Sequence, residues 1–171
     1  DLGQAHWQLV GHLQSNKAGR AVALFECIQS VDSVDLARRV DRLARDTGRA
    51  PFPVYLQVNV DQDAAKAGFS MVAAESALHE IAALPEIAAL PGLELRGLMT
   101  VGRLAARPED ARPTFVALRE LAERLRRDEP RLGAGLSMGM SDDFEVAIEE
   151  GATVVRIGRA IFGDRMLSTT R

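Results

Sequence analysis

The sequence contains a single cysteine, Cys27, which excludes an internal disulfide and a metal cluster held by several thiolates. We interpret Cys27 as a small core residue rather than a nucleophile. Histidine is also scarce, and the three histidines lie far apart without the spacing of metal ligands. The sequence therefore gives no indication of a metal site.

Long apolar runs and long basic runs are both absent. No stretch is long enough to span a bilayer, and the first ten residues lack the basic and apolar regions of a signal peptide. The net charge is only -3, so the composition argues against nucleic-acid or anionic-membrane binding. We expect a cytoplasmic protein. Lysine is rare as well, because Lys17 and Lys66 are the only two in the chain.

Apolar strands alternate with amphipathic helices along all 171 residues, which predicts a single α/β domain spanning 1–171 with a parallel sheet. The predicted strands are 6–10, 24–31, 54–60, 93–101, 136–140 and 152–157. Either Asp32 or Ser33 is predicted to cap the helix that follows the second strand, and Ser70 a helix that runs through Leu84. A helix starting at Pro108 carries an apolar stripe, formed by Phe115, Leu118, Leu121, Ala122 and Leu125.

This alternation is compatible with an open doubly wound sheet and with a (β/α) barrel. Two features favour the barrel. Several strands end in polar or glycine-rich loops, and a turn suited to phosphate follows the last strand. A closed barrel needs eight strands, of which this chain supplies six.

Residues 136–165 carry the clearest functional signal. Ser141 follows a buried strand and is predicted to cap a short helix. Arg156 is a charge inside an apolar strand, so it needs a partner from the protein or from a ligand. Gly158 lets backbone N–H groups approach an anion. Together these residues indicate a ligand with a phosphate and a separate polar atom. Two structural alternatives remain open, in which Ser141 only caps the helix and Arg156 pairs with Asp142 or Asp143.

Five longer motifs resemble the pyridoxal phosphate homeostasis family, and they cover nearly the whole chain. They are GHLQSNK at 11–17, LQVNV with the KAGF loop at 56–69, GLMTVG at 97–102, LSMGMSDDFEVAIEEG at 136–151 and VRIGRAIFGDR at 155–165. The resemblance implies a TIM (β/α) barrel of the alanine racemase N-terminal type, with six of its eight strands present in this chain. It also implies binding of pyridoxal 5'-phosphate (PLP) without established catalysis.

The resemblance assigns roles to the residues of the 136–165 stretch. It implies that the Ser141 hydroxyl and the backbone amides of Gly158 and Arg159 hold the PLP phosphate. It places Arg156 at the pyridine nitrogen, where an arginine disfavours protonation of the ring and weakens it as an electron sink. Three strand-end residues are also implied to lie near the ring, namely Ser137, Met138 and Met99.

The chain departs from the family pattern at three points. The family forms a Schiff base between PLP and a lysine on the first barrel strand, and neither Lys17 nor Lys66 matches that motif. We therefore expect an N-terminally truncated member whose Schiff-base lysine lies upstream. Gln8 stands where relatives usually have a histidine. Arg159 stands where a hydroxyl residue is common, and its guanidinium either contacts the phosphate or points to solvent.

Three functions follow as hypotheses. The first is a non-catalytic carrier or regulator of intracellular PLP, monomeric when complete, with PLP-dependent apoenzymes as partners. The alternative is a fold-type III PLP enzyme such as an amino-acid racemase, which uses a second domain and a tyrosine base, whereas this chain contains only Tyr55. The third is a partner-completed piece that binds no cofactor.

Overall fold

The computed structural model describes residues 5–82, 92–102 and 107–163, and it shows a six-stranded parallel sheet packed against helices. The strands are β1 (Gln8–Leu9), β2 (Cys27–Val31), β3 (Phe52–Gln57), β4 (Leu93–Met99), β5 (Gly135–Met140) and β6 (Val154–Arg156). The helices are α1 (Ala18–Leu24), α2 (Val34–Asp46), α3 (Met71–Ala82), α4 (Arg112–Asp128), α5 (Phe144–Glu149) and α6 (Arg159–Phe162). Short 3-10 turns precede α1 and α4.

The strand order decides between the two predicted architectures. Each strand pairs in parallel with the next strand of the chain, in the order β1-β2-β3-β4-β5-β6. A doubly wound sheet would reverse its order at one point, and this sheet does not. The chain therefore forms a half-barrel of six strands, which confirms the predicted barrel type.

The sheet curls strongly, as one side-chain contact shows. Gln29 on β2 and Ser137 on β5 share a hydrogen bond of 2.5 Å, although β3 and β4 lie between them. In a flat sheet these two strands would be roughly 14 Å apart, three strand spacings. The sheet thus has a concave inner face and a convex face covered by helices.

The main core lies between the convex face and the helices. The predicted stripe of α4 is fully buried there, from Phe115 to Leu125. Two of the predicted caps are also confirmed, since Ser33 accepts a hydrogen bond from the Leu36 amide and Ser70 from the Ala73 amide. The concave face carries a smaller apolar cluster, formed by Cys27, Tyr55 and Met99.

Four local predictions need comment. The second strand begins at Cys27 rather than at residue 24, because Leu24 still belongs to α1. Met138 packs in the helix-side core, so its predicted place near a ligand ring is wrong. The prediction that Ser141 caps a helix is also wrong, because the residue before α5 is Asp143. Leu84, the predicted end of α3, lies outside the described residues.

Candidate functional site

The carboxyl ends of β5 and β6 bring Ser141 and Gly158 together, as the sequence predicted. Arg156 pairs with Met140 across the two strands, so the segments that leave them start side by side. The Ser141 hydroxyl oxygen accepts hydrogen bonds from the Gly158 and Ala160 amides, each 3.2 Å long. The second amide that converges on this hydroxyl is that of Ala160, whereas the resemblance assigned the Arg159 amide to the phosphate. Two N–H groups aimed at one point form a place for an oxygen atom, which the serine hydroxyl fills here.

Gly158 leaves open space at this point. A Cβ atom added at Gly158 would meet nothing within 4 Å. Its φ of -119° is one that other residues also adopt, so backbone conformation does not require glycine here. What the missing side chain provides is room beside a donating amide, which suits a bulky group such as a phosphate.

Arg156 lies at the end of β6, half-buried on the concave side. One terminal nitrogen donates to the Ser137 hydroxyl at 2.8 Å and the other to the Thr100 carbonyl oxygen at 2.7 Å. Burial lowers the pKa of the guanidinium, and the nearby Asp143 carboxylate acts in the opposite direction. Because both terminal nitrogens bind uncharged groups, the alternative of a structural ion pair with an aspartate is wrong. These two hydrogen bonds hold the positively charged guanidinium at the carboxyl ends of β5 and β6.

Arg159 pairs with a carboxylate of the protein in this structure. Its guanidinium forms an ion pair with Asp142, in the turn that carries Ser141. Both side chains are about half exposed, so the pair adds only about 0–1 kcal/mol of stability. The pair ties the turn after β5 to the first residue of α6, which helps to keep Ser141 over the Gly158 and Ala160 amides.

Two residues that contact this site were missed in the sequence. Gln29 accepts a hydrogen bond from Ser137, and Thr100 supplies the carbonyl that Arg156 binds. Gln29 was visible as a polar residue inside the apolar strand around residue 28, the same signal that identified Arg156. The Ala160 amide had no sequence signal, because any residue carries such an N–H group.

Neither lysine takes part in this arrangement of donors. The Lys66 ammonium donates to the carbonyl oxygens of Val101 and Gly102, at 3.3 and 2.9 Å, and lies 3.6 Å from the Asp63 carboxylate. Lys17 is an exposed residue in the 3-10 turn before α1. The charge beside Ser137 therefore comes from Arg156.

A hollow of about 490 Å³ occupies another part of the concave face. Its lining includes His6, Glu26, Cys27, Tyr55 and Arg96, which lie on or just before strands β1 to β4. Burial raises the pKa of Cys27 to about 11, and burial also raises the pKa of Tyr55. The Cys27 thiol and the Tyr55 hydroxyl are thus kept neutral, in contrast to the cationic guanidinium of Arg156.

Over 5–82, 92–102 and 107–163, no three His, Cys, Asp or Glu side chains are grouped so that they could hold a metal ion. In the same part of the chain, no helix combines the length and the apolar character needed to cross a bilayer.

The groups that meet at the carboxyl ends of β5 and β6 indicate which kind of ligand can bind there. The backbone amides of Gly158 and Ala160 are hydrogen-bond donors, Arg156 is a cationic donor, and the Ser141 hydroxyl both donates and accepts. Such a set suits an anion with several acceptor oxygens, together with a second acceptor for the guanidinium.

Comparisons with known proteins identify the family of the chain. The family model described as the alanine racemase N-terminal domain matches residues 2–166. The pyridoxal phosphate homeostasis protein of Synechocystis is 36% identical over 161 residues, covering 94% of this chain and 71% of that protein. The Pseudomonas aeruginosa protein of the same name is 42% identical, with 94% of this chain and 65% of the relative covered.

A solved structure gives the same result. PipY of Synechococcus elongatus, determined with PLP bound, is 38% identical with a TM-score of 0.84, covering 95% of this chain and 73% of that one. The chain thus spans about two thirds to three quarters of the relatives compared. By sequence and by fold, it belongs to the pyridoxal phosphate homeostasis protein family, and it matches the alanine racemase N-terminal domain.

Proposed function

We propose that this chain binds PLP at the carboxyl ends of β5 and β6 and serves PLP homeostasis without catalysing a reaction. One observation carries the proposal. The Gly158 and Ala160 amides converge on the Ser141 hydroxyl, next to the strand end where Arg156 holds a half-buried charge. The PLP-bound structure of PipY, a close relative in sequence, supports the choice of ligand.

The residues present fit the phosphate and the ring nitrogen of the cofactor. A phosphate oxygen can take the place of the Ser141 hydroxyl at the two amides, after which the hydroxyl turns and donates to the same phosphate. Open space beside Gly158 accommodates the group. Arg156 can donate to the pyridine nitrogen, which serves as an acceptor. Bound PLP supplies an electron-withdrawing ring, and an arginine at its nitrogen leaves that ring unprotonated and a weaker electron sink.

The position of Tyr55 supports a non-catalytic role over a racemase. Tyr55 is the only tyrosine in the chain, and it packs with Cys27 and Met99 in the inner apolar cluster. Burial raises the pKa of its hydroxyl, which makes it harder to ionise than an ordinary tyrosine. We extend the proposal to a monomeric, cytoplasmic carrier that passes PLP to PLP-dependent apoenzymes.

Equilibrium dialysis of the purified chain tests the proposal. We expect PLP to bind more tightly than pyridoxal, which lacks the phosphate, by about tenfold or more, since the phosphate meets two amides and a hydroxyl. Equal affinity for the two compounds would contradict the proposed phosphate site. Racemisation of amino acids above the rate of free PLP would contradict the non-catalytic role.

A further inference from the structure

Four side chains form a hydrogen-bonded row across the concave face. Arg156 donates to Ser137 at 2.8 Å, Ser137 donates to Gln29 at 2.5 Å, and Gln29 donates to Gln8 at 2.6 Å. The row runs from β6 through β5 to β2 and β1. Gln29 thus links the charged end of the proposed site to the opposite edge of the sheet.

Every bond in this row points the same way. A serine hydroxyl has one proton, and Ser137 gives it to the Gln29 carbonyl oxygen, so only lone pairs face Arg156. A reversed Gln29 amide would present its NH₂ group to Ser137 and would no longer accept that proton. Gln8 matches the unreversed amide, because its own carbonyl oxygen accepts from the Gln29 NH₂ group. The direction of the row therefore orients Ser137 as an acceptor for the guanidinium.

Burial makes the middle of the row sensitive to substitution. Gln29 is 2% exposed and Ser137 is fully buried, so water has little access to replace a lost partner. Hydrogen bonds in such surroundings also polarise one another, which strengthens a row with a single direction. Loss of the Gln29 acceptor would leave the buried Ser137 proton without a partner, so the hydroxyl would no longer be held in place for Arg156.

We propose that Gln29 is a positioning residue that fixes the Arg156 guanidinium for a ring-nitrogen acceptor. The inference rests on the proposed PLP site and names the part of the ligand that Gln29 controls. The phosphate contacts at Gly158 and Ala160 lie outside the row, so a change at Gln29 affects recognition of the ring nitrogen and spares recognition of the phosphate.

A first experiment needs no ligand. Gln29→Met keeps the length of the side chain but removes both hydrogen bonds. Ser30→Ala is the control, since Ser30 is equally buried on the same strand and bonds to the Gly11 carbonyl instead. Nitrogen-detected NMR follows hydrogen exchange of the Arg156 guanidinium protons. We expect about tenfold faster exchange in Gln29→Met and no change in Ser30→Ala, and equal exchange in all three proteins would overturn the inference.

A second experiment compares two ligands by equilibrium dialysis: PLP, and its benzene analogue, in which a C–H group replaces the ring nitrogen. The unaltered chain should prefer PLP, and Gln29→Met should weaken PLP about tenfold while changing the analogue less than twofold. Equal weakening of both ligands would make Gln29 a general structural residue and overturn the inference. Fast exchange in Gln29→Met, combined with no binding of PLP to the unaltered chain, would instead contradict the proposed function, and the inference would fall with it.

Discussion

Gln29 and Ser137 meet through a 2.5 Å hydrogen bond, although two strands separate them in the sheet. The bond is possible only because the half-barrel curls, and it ends next to Arg156, which donates to the same Ser137 hydroxyl. The curvature of the sheet and the placement of the guanidinium are therefore linked by one side chain. A flat doubly wound sheet of the same strands would separate Gln29 from Ser137.

Removing the Ser141 hydroxyl should weaken PLP binding and leave stability unchanged. Its partners, the amides of Gly158 and Ala160, are exposed and can bind water instead. We expect Ser141→Ala to raise the dissociation constant of PLP about tenfold, with less than about 0.5 kcal/mol lost in urea unfolding. Ser70→Ala is the matched control. It removes the cap of α3, so it should cost about 1 kcal/mol of stability without changing PLP affinity.

Glycines 158 and 139 should respond in opposite ways to alanine. The Cβ of Gly158→Ala would meet nothing within 4 Å, so we expect an unchanged melting temperature. The new methyl group would, however, take space that the phosphate needs, so PLP affinity should fall. Gly139 has a φ of +90°, and a Cβ there would lie 2.5 Å from the Ala147 Cβ. Gly139→Ala should therefore cost about 2 kcal/mol or more in unfolding. Full PLP affinity in folded Gly158→Ala would argue against a phosphate at this amide.

Arg156→Lys tests whether PLP binding needs the two planar donors of the guanidinium in addition to its positive charge. Lysine keeps the positive charge but lacks the planar pair of donors that reaches both Ser137 and Thr100. We expect PLP affinity to fall about tenfold in dialysis. Arg38→Lys is the control, because Arg38 pairs with Glu80 on the surface and should have no effect. An unchanged affinity in Arg156→Lys would mean that charge alone suffices.

Cys27 should be an unreactive thiol in the folded protein. Burial raises its pKa to about 11 from an ordinary value of 9.0, so the thiolate at pH 8 is about a hundredfold scarcer than in an unfolded chain. We expect alkylation by iodoacetamide at pH 8 to be at least that much slower than in 8 M urea, as followed by intact mass. Equal rates in both conditions would place Cys27 outside the packed inner cluster.

The order and type of the elements could be predicted from the sequence, and some boundaries and side-chain directions could not. The α4 stripe shows helical spacing, and burial confirms it from Phe115 to Leu125. The cap at Ser141 was predicted wrongly because the same residue type suits a helix start and a strand-end loop. Met138 was placed near the ring, but neighbouring strand residues face opposite sides, and its side chain joins the helix-side core.

In the candidate site, too, some residues could be predicted from the sequence and others could not. Ser141 and Gly158 stood out because each follows the end of a buried strand, and Arg156 because it is a charge inside an apolar strand. Their partners depend on contacts between distant segments. Thr100 precedes Arg156 by 56 residues, and Gln29 precedes Ser137 by 108. Strand curvature brings these residues together, and no local pattern in the sequence encodes it.

Amide chemical shifts recorded during a PLP titration test directly whether PLP binds at the carboxyl ends of β5 and β6. We expect the largest changes in the nitrogen-proton spectrum at Gly158 and Ala160, whose amides would meet the phosphate, and smaller changes at Ser137. The opposite result would be shifts concentrated around Cys27 and Arg96, at the hollow beside strands β1 to β4. That pattern would contradict a PLP site at the carboxyl ends of β5 and β6.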